Sequence, residues 1–97
     1  MPSYIILMKF TEQGIKNVKE APQRIDAGIK GWEALGGKLT SFYATMGEYD
    51  YIAIGEAPSD AVAMTFLLQL GAGGNVRTTT LKAFSVAEFT EFVKKLP

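Results

Sequence analysis

Apolar and polar positions follow a period that changes along the chain, and each change marks an element. Tyr4 to Phe10 is a short, nearly continuous apolar run. Its length and its β-branched and aromatic content predict a strand buried on both faces. Thr11 offers a cap oxygen for a helical start. Ile15, Val18, Ile25, Ile29 and Trp32 then keep one helical face apolar. Pro22 has no backbone N–H, so a break is expected near Glu20–Pro22, with the main helix beyond it. Gly28 and Gly31 lower helix propensity and are tolerable where a helix lies close against a sheet. Gly36 and Gly37 end the helix, one of them as a left-handed cap.

Lys38 to Met46 is rich in strand formers, Gly47-Glu48 makes a turn, and Tyr49 to Glu56 reads as the next strand of an antiparallel hairpin. Ala57-Pro58 closes it and Ser59 caps a helix over Asp60 to Leu70. That helix is apolar around most of its circumference, which predicts cover from more than one side. Gly71 to Asn75 is a loop and Val76 to Phe84 a fourth strand. Ser85-Val86-Ala87-Glu88 has the form of a capping box, and Phe84 with Phe89 that of a hydrophobic staple. Phe89, Phe92, Val93 and Leu96 share one face of the terminal helix.

The order is strand, helix, strand, strand, helix, strand, terminal helix. It predicts a single α+β domain over residues 1–97, ferredoxin-like βαββαβ with an extra C-terminal helix. The sheet is then antiparallel, with helices on one face. Alternation places Tyr51 and Ala53 opposite to Ile52 and Ile54, and Tyr4, Ile6, Met8 and Phe10 opposite to Ile5 and Leu7. Both faces are therefore apolar. A bare apolar sheet face in water is a liability, and stacking on a second copy removes it. Homo-oligomerisation through the sheet face, as a dimer or higher, is the expectation.

Composition narrows the chemistry. Ninety-seven residues leave no room for a second core, and a chain of this size buries roughly 60–70% of its unfolded surface. Ten basic and ten acidic residues balance, so the footprint that nucleic acid requires is missing. Charges interrupt every apolar run well short of the ~20 residues of a membrane span, and Met1-Pro2-Ser3-Tyr4 shows no leader pattern. A cytoplasmic location is expected. With no cysteine and no histidine, thiolate nucleophiles, the usual zinc sites and the commonest neutral-pH base are all excluded. No metal and no cofactor is expected.

Gly47-x-Tyr49-Asp50 before an apolar strand, then Glu56-Ala57-Pro58, then Gly74-Asn75-Val76-Arg77-Thr78-Thr79-Thr80, resembles the GYD domain family. The likeness runs nearly end to end, including the Gly36-Gly37 step and the terminal helix. The family is found mostly in bacteria and is largely uncharacterised. It is similar to the dimeric α+β barrel proteins, in which two ferredoxin-like sheets stack face to face. The resemblance implies that assembly here too. A looser likeness is to the ligand-sensing domain of leucine-responsive regulators, whose helix-turn-helix this chain lacks.

The polar residues offer a short set of ligand-binding candidates. Asp50 can accept backbone donors at the hairpin mouth or contact a ligand; turn aspartates favour the first use. Tyr49 and Tyr51 alternate, so one enters the core while the other can present its hydroxyl. Arg77 can pair with Asp50 or Glu48, or grip a carboxylate ligand bidentately. Thr78, Thr79 and Thr80 satisfy β propensity, and Thr78 and Thr80 would share a face and offer hydroxyls to a cavity. Lys9 is a possible buried amine at a strand end that is ordinarily solvated. Trp32 reads as core. The Gly71–Asn75 loop lacks the lysine and hydroxyl of a phosphate loop and reads as a connector. Two functions follow. One is a non-enzymatic oligomeric domain that binds a small molecule or a protein. The alternative is a cofactor-independent enzyme, monooxygenase- or isomerase-like, acting on a small aromatic or carbonyl compound in the barrel cavity. The second rests on fold analogy alone.

Overall fold

The chain folds as β1 (Ser3–Phe10), α1 (Glu12–Lys16), a 3-10 turn (Val18–Glu20), α2 (Ala21–Ala34), β2 (Lys38–Ala44), β3 (Tyr51–Glu56), α3 (Asp60–Ala72), β4 (Val76–Ala83) and α4 (Val86–Lys94). The computed structural model describes all 97 residues. The four strands are antiparallel in the order β2-β3-β1-β4. That is the ferredoxin-like α+β arrangement that the element order predicts.

Register decides which residues share a face. Tyr4, Ile6 and Met8 pair with Gly55, Ala53 and Tyr51 on β3 and with Lys82, Thr80 and Thr78 on β4. Tyr4, Ile6, Met8, Tyr51, Ala53 and Val76 are buried, together with Trp32 of α2 and Ala63 of α3. The core is therefore the layer between this face and the two long helices. Tyr4 and Phe66 both meet the Trp32 indole edge-on.

Ile5 and Leu7 point the other way, with Ile52, Ile54 and Leu81. No helix covers that face. β1 was expected to be buried on both sides; within one chain it is buried on one and half-exposed on the other. The reason is topological, since both long helices, α2 and α3, return over the same face.

Most helix ends are as the pattern predicts. Thr11 accepts from the Gly14 N–H, the chain breaks before Pro22 in the first turn of α2, and Gly36 is left-handed at φ +89°. The Ser85–Glu88 capping box is formed. The staple differs: Phe84 packs on Phe92, ring centres 5.1 Å apart, one helical turn beyond the expected Phe89. The hairpin differs too. The β3 strand starts at Tyr51 rather than Tyr49, because the Asp50 N–H leaves the hairpin and donates to the Met8 carbonyl of β1 (2.8 Å). β2 also carries a bulge between Leu39 and Ser41.

The outermost element stands apart. Every residue of α4 is exposed. The molecule measures 52 × 30 × 19 Å with a radius of gyration of 14.8 Å, against about 12.5 Å for a compact domain of this length. Three features thus lack cover in the single chain: the second sheet face, the α4 stripe, and the α3 side that carries Met64 and Leu68.

Candidate functional site

The Thr45–Asp50 loop ties the hairpin to the end of β1. Asp50 Oδ2 accepts from the Phe10 N–H at 2.8 Å. Thr45 N–H donates to the Asp50 carbonyl at 2.9 Å, and the Thr45 hydroxyl donates to the Tyr49 carbonyl. Gly47, at φ +110°, takes the left-handed position that lets the loop close. The signature turn therefore locks two strands to a third, with the Asp50 side chain as the bolt.

The candidate residues divide across the sheet. Lys9 and Arg77 are direct partners on β1 and β4, on the open side. Lys9 Nζ lies 3.4 Å from Glu48 Oε1 and 5.2 Å from the centre of the Tyr49 ring. Lys9, not Arg77, thus meets the hairpin acid, and Arg77 makes no ion pair. Tyr51, Thr78 and Thr80 lie on the helix side. Thr80 Oγ1 is buried there without a partner. Asp50 sits at the seam. The open side thus gathers Lys9, Tyr49 and Arg77 around an apolar sheet, while the hydroxyls collect beneath the helices.

The Gly73–Asn75 connector is occupied by its own chain. Thr11 N–H donates to the Asn75 carbonyl at 3.1 Å, and the Gln13 amide donates to Asn75 Oδ1 and to the Gly73 carbonyl, each at 3.1 Å. A cluster that sequence reasoning missed joins Tyr4, Asp60 and Lys82. The Tyr4 hydroxyl donates to Asp60 Oδ1, and Lys82 Nζ lies 2.9 Å from Asp60 Oδ2. Burial, reinforced by that carboxylate, pushes the Tyr4 hydroxyl up to about 12. The bond from Tyr4, with that from Lys82, holds the Asp60 carboxyl below its ordinary value. The only sequence signal was Asp60 at a helix start, which helix-end electrostatics alone would explain. No three His, Cys, Asp or Glu side chains come together in a way that could hold a metal ion.

Beneath the helices lies a cavity of about 320 Å³ between α2, α3 and the inner sheet face. Its wall is largely apolar and includes Met8, Trp32, Phe42 and Phe66. Arg24 is the single charged side chain in it. The Tyr51 hydroxyl is raised by burial, with the nearby Arg24 charge working in the opposite direction.

The GYD domain model matches residues 4–93. This chain belongs to the GYD domain family. A GYD relative from Thermus thermophilus, named glutamine synthetase and cystathionine beta-lyase binding protein, is 32% identical over 95 residues, covering 97% of this chain and all of that protein. A crystal structure from the same organism superposes with a TM-score of 0.55 at 22% identity, over 89% of this chain and 96% of that one. That likeness concerns the fold. The GYD turn that gives the family its name is here the Asp50 bolt on β1.

Proposed function

We propose that this protein is a non-enzymatic, oligomeric protein-binding domain. In this reading the open sheet face joins copies of the chain and the α4 arm contacts a partner protein. The uncovered apolar surface carries the reading: Ile5, Leu7, Ile52 and Ile54 are only half-buried, and Leu81 is 48% exposed. Exposed apolar surface of this kind marks interaction sites. The α4 stripe of Phe89, Phe92 and Val93 is separate from it, and helical stripes of this form dock in grooves of other proteins. The name of the Thermus relative supports protein partners. Glutamine synthetase and cystathionine beta-lyase are the first to test. The amine, guanidinium and hydroxyls that an enzyme would use lie on opposite sides of one sheet, so no geometry favours the catalytic alternative.

The test uses purified glutamine synthetase and cystathionine beta-lyase from the source organism, immobilised for interferometry. Saturable binding of the wild type to at least one is expected. Phe92→Glu should abolish it while leaving the mass by light scattering unchanged. Ile54→Glu should reduce that mass to the monomer's. Absence of binding to both enzymes up to roughly 100 µM, or a Phe92→Glu variant that binds as tightly as the wild type, overturns the partner assignment. A monomeric wild type overturns the assembly.

A further inference from the structure

The cavity under α2 and α3 has a use that protein docking does not require. At about 320 Å³ it lies at the lower end of the range for small-molecule sites. It persists because α2 presents no side chain at Gly28 and Gly31, both in its wall. A Cβ built on Gly28 meets nothing within 4 Å, and one on Gly31 only touches Phe66 at 3.5 Å. The body of the cavity is aromatic. The Phe42 and Tyr51 rings lie 5.2 Å apart, and those of Trp32 and Phe66 lie 5.1 Å apart.

Its polar side chains are few: the amides of Gln69 and Asn75, which both donate and accept, and the donors Arg24 and Tyr51. Arg24 gives two of its N–H groups to the carbonyls of Asn17 and Gly14, at 2.9 and 3.2 Å. No carboxylate pairs with it, and a guanidinium has five donors. Tyr51, whose ring lines the same wall, adds a neutral hydroxyl near the Arg24 charge. Trp32 Nε1 is enclosed against Gly37 and Gly55 without an acceptor, so Trp32 lends the cavity its ring and not a donor. A cation with spare donors at one edge of an aromatic chamber selects an anion with an aromatic body.

We propose that this cavity binds a small aromatic monocarboxylate, its ring among Trp32, Phe42 and Phe66 and its carboxylate on Arg24. Trp32 is the only tryptophan, so its fluorescence reports occupancy directly. The probes are 3-phenylpropanoate and its uncharged amide. The acid should give a saturable change in Trp32 emission, at an affinity roughly 10-fold or more above that of the amide. Arg24→Met should bring the acid down to the amide's level. Gly28→Leu, which grows into the open space, should abolish the response to both while retaining the wild-type circular dichroism. Because Arg24 also holds two backbone carbonyls, Gly28→Leu is the deciding variant if Arg24→Met fails to fold. No saturable response to the acid up to roughly 10 mM, equal affinity for acid and amide, or unchanged binding by Gly28→Leu overturns the proposal. Partner binding through Phe92 is read separately, so the two assignments stand or fall independently.

Discussion

Asp50 shows how one carboxylate can tie a hairpin to a distant strand. Its acceptor bond to the Phe10 N–H joins positions 40 residues apart. Loss of that acceptor leaves a partly buried N–H unsatisfied, which costs about 1–3 kcal/mol. Asp50→Ala should therefore lower the unfolding free energy measured in urea by that amount, and Asp50→Asn, which keeps an oxygen, by less. Tyr4 makes a different prediction. Its hydroxyl titrates near 10 when unfolded and about 12 when folded, so folding favours the protonated form. The stabilisation is complete below pH 10 and is lost as pH rises from 10 to 12. Tyr4→Phe should make this alkaline limb shallower in a plot of melting temperature against pH, leaving the smaller share that burial of Tyr51 adds. Asp60 adds an acid limb of opposite sign, since its lowered value makes stability fall as pH drops below the ordinary carboxylate range. Strand alternation alone placed Tyr51 and Ile52 on opposite sides. It did not pair Lys9 with Arg77 or bring Tyr4 to Asp60, because cross-strand register and helix placement are tertiary properties.

At the scale of elements, local chemistry was legible wherever a backbone rule forces it. Pro22, Ser59, Ser85 and Gly36 each bound an element as their type dictates. The places that misled were those where a distant strand competes. Tyr49 has the composition of a strand, yet Asp50 turns to β1 and delays β3 by two residues. The cavity was also illegible, since Gly28 and Gly31 read as a sign that the helix lies close against the sheet, whereas a Cβ on Gly28 meets nothing within 4 Å and one on Gly31 only touches Phe66. Gly14 gives the sharpest element-level prediction. A Cβ there would overlap the Asn75 carbonyl oxygen, in backbone that cannot rotate away. Gly14→Ala should push α1 off the β4 connector and cost about 1–3 kcal/mol, measurable by chemical unfolding. Ser85→Ala removes the α4 cap and costs that helix about 1 kcal/mol. Because α4 is exposed throughout, the loss should appear in its amide exchange while the core amides of β1 and β3 keep theirs.

The whole molecule has a small interior for its length. Only 12 of 97 residues are buried, and no large side chain is fully enclosed. Small domains are marginal for this reason. Much of the remaining apolar surface lies on the second sheet face, on α4 and on the α3 side that carries Met64 and Leu68, and a contiguous apolar patch is the mark of an interaction surface. If stacked sheets supply the missing burial, folding and association become one equilibrium. Stability then depends on protein concentration, rising by about 1.4 kcal/mol of dimer for each tenfold increase. The melting temperature of the wild type should climb over a concentration series from micromolar to millimolar. Ile54→Glu, which sets a charge in the centre of the open face, should melt lower and show no such slope, with Tyr51 and Ala53 on the inner side undisturbed. A flat series for the wild type would mean that the inner layer around Trp32 is sufficient by itself, and that the open face serves some other contact.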